Sequence, residues 1–273
     1  MKCILCDQEK ELIDSHIISK FIRKRLTGVD TGKSTVFKYR YFDQPKPFSQ
    51  DLPTENLMCG ACDSCMGNKI EKRAAELMIP KGDLSIPETW ESMNMRIRKL
   101  TFVPSKGPIN DPFKVWSFQI ENDVDDLILK RFAVLTAWRA LHEMSRNGKQ
   151  EVVDFLASDD GNVLNKKTIV FLESGDVAES AFFPYFATFD FLGPLSAVGI
   201  TGKDDEMPFV WSFIKLGEQS AVAVMLGYWV IVWPLLPDGD SRRNFREVLK
   251  FTFVDWHAIV AQQFRDSNNP VIK

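Results

Sequence analysis

Five cysteines stand between residues 3 and 65, and none follows. Four of them form two CxxC pairs, Cys3 and Cys6 in "CILC" and Cys59 and Cys62 in "CGAC". The short loop inside each pair lets two sulfurs converge on one ion. Two such pairs complete a closed tetrahedral site of the kind that holds structural Zn2+. The 52 residues between the pairs must then carry structure of their own. Cys65 is the surplus thiol: it could replace a knuckle cysteine, but the closer match of Cys59 and Cys62 to the first pair makes a bystander the expected reading. Cysteines crowded into the first quarter of a 273-residue chain are unlike a disulfide framework. Redox exchange is the competing use of a CxxC, but these pairs lack the thioredoxin-like setting it needs. His16, in "DSHII", follows Cys6 by ten residues. Three readings are open for it: a hydrogen bond inside the zinc unit, a zinc ligand in place of one cysteine, or a base at the edge of an active site.

A second constellation lies between the pairs. From Lys20 to Lys46 there are eight basic residues against two acidic ones, interleaved with Phe21, Phe37, Tyr39, Tyr41 and Phe42. Cations meet phosphates and aromatic rings stack on bases, so Lys20, Arg23, Lys24, Arg25, Lys38 and Arg40 are candidate nucleic-acid contacts. The competing reading is a solvated helix face followed by a β-hairpin. The net charge of -3 excludes a protein that coats nucleic acid over its whole surface.

These residues must be positioned by elements that the pattern foretells. With 45% hydrophobic and 26% charged residues, the chain can bury a substantial core. A helix is expected directly after the second knuckle, as in treble-clef zinc folds, and "GNKIEKRAAELMI" has helical composition up to Pro80. Pro and Gly punctuate residues 80 to 112, a connector with little regular structure except near "ESMNMRIRKL". Val124, Leu127, Ile128, Phe132, Leu135, Trp138, Leu141 and Met144 recur at helical spacing and predict a long core helix over 122–147, on which His142 is a surface or satisfied core residue. A short helix is expected near 149–157. "TIVFLES", "FVWSFIKL", "SAVAVML" and "YWVIVWPL" read as strands of an antiparallel sheet packed on the long helix. A helix over "DWHAIVAQQFRDS" is expected to close the chain. The apolar run "AVAVMLGYWVIVWPLL" is too short for a typical membrane span and reads as two strands and a turn.

With these residues in hand, "CILCDQEKELIDSHII" and "ENLMCGACD" resemble the zinc-bearing branch of the HNH, or ββα-metal, endonuclease family. The resemblance extends through residue 75 and no further. It implies that His16 is the general base, Asn56 the central asparagine that braces the opposite loop, and Asp63 a carboxylate ligand of a catalytic Mg2+ or Mn2+. Where the family commonly has an acidic residue or histidine directly before the base, Ser15 stands here and Asp14 lies one residue further back. The opening is also similar to uncharacterised bacterial proteins that begin CxxC and continue to SHIIP, an association that points to defence against phage or mobile elements.

The expected architecture is α+β: a zinc-binding, treble-clef, HNH-like domain over 1–80, then an α+β domain of unassigned role over 81–273. The expected function is metal-dependent cleavage or binding of nucleic acid, DNA ranked ahead of RNA. The alternative is a noncatalytic zinc-stapled adaptor or sensor whose C-terminal region meets a protein partner. No secretory pattern opens the chain, so a cytoplasmic protein without membrane contact is the default expectation.

Overall fold

The structure, a computed structural model, describes residues 1–19, 39–40, 54–78, 96–102, 113–119, 123–176, 185–189, 209–216, 219–226 and 229–235. The first knuckle is a tight loop: Lys2 pairs with Glu9, and the N–H groups of Cys3 and Asp7 reach the carbonyls of Gln8 and Cys3. Strand β1 (Leu12–His16) follows, with β2 (Tyr39–Arg40) and β3 (Thr54–Cys59) beyond it. β1 and β3 form a two-stranded antiparallel sheet, and the Ile4 N–H donates to the Leu57 carbonyl, tying the knuckle to β3.

Helix α1 begins directly after Cys59. Its α-helical segments Gly60–Met66 and Lys72–Met78 flank a π turn, Gly67–Glu71. Met66, Ile70, Ala74, Leu77 and Met78 are buried at spacings of three and four, which defines the face it turns to the core.

The remaining elements are β4 (Arg96–Phe102), β5 (Phe113–Gln119), α2 (Asp123–Arg146), α3 (Gln150–Ala157), α4 (Asp159–Ser174), β6 (Tyr185–Phe189), β7 (Phe209–Leu216), β8 (Gln219–Leu226) and β9 (Trp229–Pro234). Among the described residues, seven strands form the second sheet in the order β2-β7-β8-β9-β6-β5-β4. Every neighbouring pair is antiparallel except β2 and β7, so the expected antiparallel sheet gains a parallel edge. Mixed helix and strand content agrees with the α+β expectation. The strands β5 and β6 were not foreseen, and β4 occupies the one stretch of the connector marked for regular structure.

α2 is the axle of the core. Phe132, Ala133, Val134, Leu135, Ala137, Trp138, Ala140 and Leu141 are all buried, so the helix is covered on every side over three turns. It packs against α1, β3, α3, α4 and the strands β7, β8 and β9. Its alanines let neighbours approach, while Phe132 and Trp138 fill the space; each such large side chain contributes on the order of 2–3 kcal/mol relative to exposure. Val124, expected on the core face, is 68% exposed because it lies in the first turn, ahead of the packed stretch.

One assignment is corrected. "TIVFLES" is the C-terminal half of α4, not a strand. Leu164, Thr168, Phe171 and Leu172 are buried at helical intervals, and the ends are fixed by caps: Ser158 Oγ accepts the Gly161 N–H at 3.1 Å, and Gly175 closes the helix at φ 77°. Caps and period outweigh the β-branched composition. "SAVAVML" and "YWVIVWPL" do form the paired strands β8 and β9, and among the described residues no helix is long and apolar enough to cross a membrane. The boundary at residue 80 and the closing helix with His257 lie outside the described residues.

Candidate metal centre

The four sulfurs of Cys3, Cys6, Cys59 and Cys62 all lie within 4.8 Å of one another. Four thiolates around one Zn2+ at ~2.3 Å stand about 3.8 Å apart, so the arrangement fits a tetrahedral metal with little movement. The four cysteines are close enough to bind a metal ion, and a four-thiolate donor set is one that suits zinc. Cys3 and Cys59 are buried, while Cys6 and Cys62 are half-buried.

Local structure explains the convergence. Cys59 is the last residue of β3 and also the N-cap of α1, with extended backbone (φ -74°, ψ 156°), and Cys62 lies in the first turn of that helix. The second pair therefore straddles a strand-to-helix corner, where three residues turn both sulfurs to one point. The first pair occupies the turn of the opening loop, and the Cys59 N–H donates to Cys3 Sγ at 3.4 Å. Burial alone would raise the Cys3 thiol, but the backbone N–H groups of Cys6, Cys59 and Leu5 outweigh it and bring it down to about 7. Cys62 is pushed up by burial and by the thiols of Cys59, Cys6 and Cys3, which is the crowding of negative charge that a divalent ion relieves. Cys65 packs against the core and stands outside the four.

The hairpin beside the sulfurs carries two residues singled out by the resemblance. Asp14 pairs with Asn56 and His16 with Thr54, while Ser15 pairs with Glu55. Alternation along β1 puts Asp14, His16 and Asn56 on one face and the buried Ser15 on the other. The register shift between Ile13 and Asp14 places the extra residue, Leu57, in β3, so Asp14 and His16 keep their common face. His16 is half-buried, and its Nε2 is shielded from solvent.

Asp63 lies on α1 and bonds across to α2. Its Oδ1 accepts from Arg139 Nη2 at 3.1 Å, and Arg139 Nη1 also donates to Glu71. Arg146 reaches the Asn56 carbonyl from the end of the same helix, α2. These arginines were missed in the sequence. The signal for Arg139 was present in "LTAWRALHEM", where charges interrupt a run of core residues: a buried charge needs a partner, and the partner was Asp63. Of the candidate nucleic-acid contacts, Arg40 stands on β2 opposite Val210, and Lys20, Arg23, Lys24, Arg25 and Lys38 lie outside the described residues.

Compared with known proteins, the chain matches no protein-family model, no curated protein and no solved structure.

Proposed function

We propose that the chain is a zinc-stapled, HNH-like protein that binds nucleic acid and cleaves it with a hard divalent cation, His16 serving as the base. The observation that carries this reading is the common face of Asp14, His16 and Asn56, held next to a site for a structural metal. Phosphodiester hydrolysis needs a group to deprotonate water and a cation to stabilise charge on the phosphate. Asp14 and Asn56 offer the oxygen donors a hard cation takes, on the same strand face as the imidazole. Asp63, cast as a ligand by the resemblance, has one oxygen engaged by Arg139. The basic and aromatic stretch from Lys20 to Lys46, inserted between β1 and β3, supplies the phosphate contacts.

That pairing of Asp63 favours a second reading. With its charge matched by a guanidinium and His16 Nε2 shielded, the zinc unit serves as a staple in a noncatalytic adaptor. One experiment separates the two. Wild type, His16→Ala and the triple variant Arg23→Ala, Lys24→Ala, Arg25→Ala are incubated with DNA and RNA in Mg2+ or Mn2+, and zinc content is assayed in parallel. His16→Ala should slow cleavage by about a hundredfold or more with zinc and affinity retained, because only the transition state uses the imidazole. The triple variant should bind more weakly and with a shallower salt dependence. No cleavage by wild type under either ion, or an unchanged rate in His16→Ala, would leave the adaptor reading standing.

A further inference from the structure

Arg139 is buried at the centre of α2, yet its guanidinium reaches out of its own helix to two carboxylates of α1. One of them, Asp63, directly follows the metal-site residue Cys62. The other, Glu71, ends the π turn. Eight α-helical steps would leave residues 63 and 71 about 80° apart around the axis, and a π turn rotates less per residue, which reduces that offset and brings both carboxylates under one planar fork. A site of four thiolates and one divalent ion carries a net charge of -2, and Asp63 and Glu71 add to it. Arg139 is the cation that joins this negative cluster to the helix at the middle of the core.

We infer that Arg139 is a positioning residue for the metal: it holds the Cys62 turn of α1 against α2, so that metal occupancy and the docking of the two helices strengthen one another. This inference rests on the four-cysteine site and is independent of whether His16 catalyses anything. Its physical content is reciprocal linkage. If docking raises metal affinity by some factor, metal raises docking by the same factor, and couplings of this kind run to about 5–150-fold. A lysine at 139 keeps the charge but, as a point donor, cannot span both carboxylates. Arg131 supplies the control: it is another buried arginine of α2, about two turns from Arg139, whose Nη2 donates to the carbonyls of Leu172 and Glu173 at the end of α4; it feels the Cys65 thiol of α1 but, unlike Arg139, bridges no pair of α1 carboxylates, and lysine at 131 keeps its charge.

The test is Zn2+ affinity of the full chain measured by competition with a chromophoric chelator, with Co2+ absorption to count thiolate ligands. Arg139→Lys should bind Zn2+ about tenfold more weakly, and Arg139→Met at least as weakly. At saturation both should keep the absorption of a four-thiolate Co2+ site, since no ligand has been removed. Arg131→Lys should lower the melting temperature without shifting metal affinity. If Arg139→Met does not fold, Arg139→Lys decides. Wild-type affinity in Arg139→Lys, or an equal loss in Arg131→Lys, overturns the assignment.

Discussion

Glu143 lies one helical turn beyond Arg139, 2% exposed, and bonds to the large sheet instead of to α1. Its carboxylate accepts from Trp211 Nε1 of β7 at 3.0 Å and from Asn147 Nδ2 at 3.0 Å. Burial pushes it up to about 7 against the lowering effect of the Trp211 bond. Its neighbour His142 is pulled down to about 4, chiefly by burial, although its bond to Asn165 works the other way. The two act on stability with opposite signs. Between about pH 4.5 and 7 the folded state holds the Glu143 proton while the unfolded chain has released it, so this group lowers stability as pH rises. His142 is neutral in the fold, so its contribution is lost as pH falls from about 6.5 through 4. Glu143→Gln should therefore gain stability relative to wild type as pH rises from 5 to 8, by on the order of 2–3 kcal/mol. Urea unfolding of both proteins across that range checks it, and a difference that does not change with pH would contradict the buried-carboxyl account. In the sequence His142 was a surface or satisfied core residue, and its bond to Asn165 selects the latter; the bond of Glu143 to Trp211 was not visible there.

At the scale of elements, the turn between α3 and α4 shows how tightly local chemistry constrains packing. A Cβ on Gly161 would stand 2.0 Å from the Phe155 carbonyl oxygen, so the glycine is required by close approach. Ser158 at the same turn accepts the Gly161 N–H and starts α4. Gly161→Ala should cost about 3 kcal/mol, the upper end of the overpacking range, because the contact is with backbone and cannot be relieved by a rotamer change. Ser158→Ala should cost about 1 kcal/mol through the lost cap. Denaturant midpoints of the two variants test the order: a Gly161→Ala as mild as Ser158→Ala would mean that the turn opens freely. The same caps explain why "TIVFLES" misled as a strand. Val170, Ile169 and Phe171 have the composition of β structure, but a run that begins inside a capped helix continues it until Gly175.

For the molecule as a whole, the metal site and the large sheet share one core. Cys3, Leu57, Cys59 and Ile70 belong to the same buried cluster as Trp138, Val224 and Trp233. Metal removal should therefore be felt beyond the knuckles. Cys59→Ser, or chelation of the wild type, should remove zinc and lower the thermal transition followed by tryptophan fluorescence, whereas Cys65→Ser should leave both unchanged. Elemental analysis beside the melting curve checks the pair of outcomes; a zinc-free wild type purified without chelator would refute the site. The knuckles, the long helix and the β8–β9 pair were legible from sequence because each is announced by local spacing: CxxC, apolar residues at three and four, alternating β-branched runs. The two CxxC pairs proposed the ligand set, and the fold brought their four sulfurs together with Cys65 outside them. What spacing cannot express is contact between distant segments. The parallel edge of the sheet, the common face of Asp14, His16 and Asn56, and the capture of Asp63 and Glu71 by Arg139 each join residues tens of positions apart. Such contacts depend on how elements stack, and a buried charge names its need for a partner without saying which partner the tertiary structure will bring.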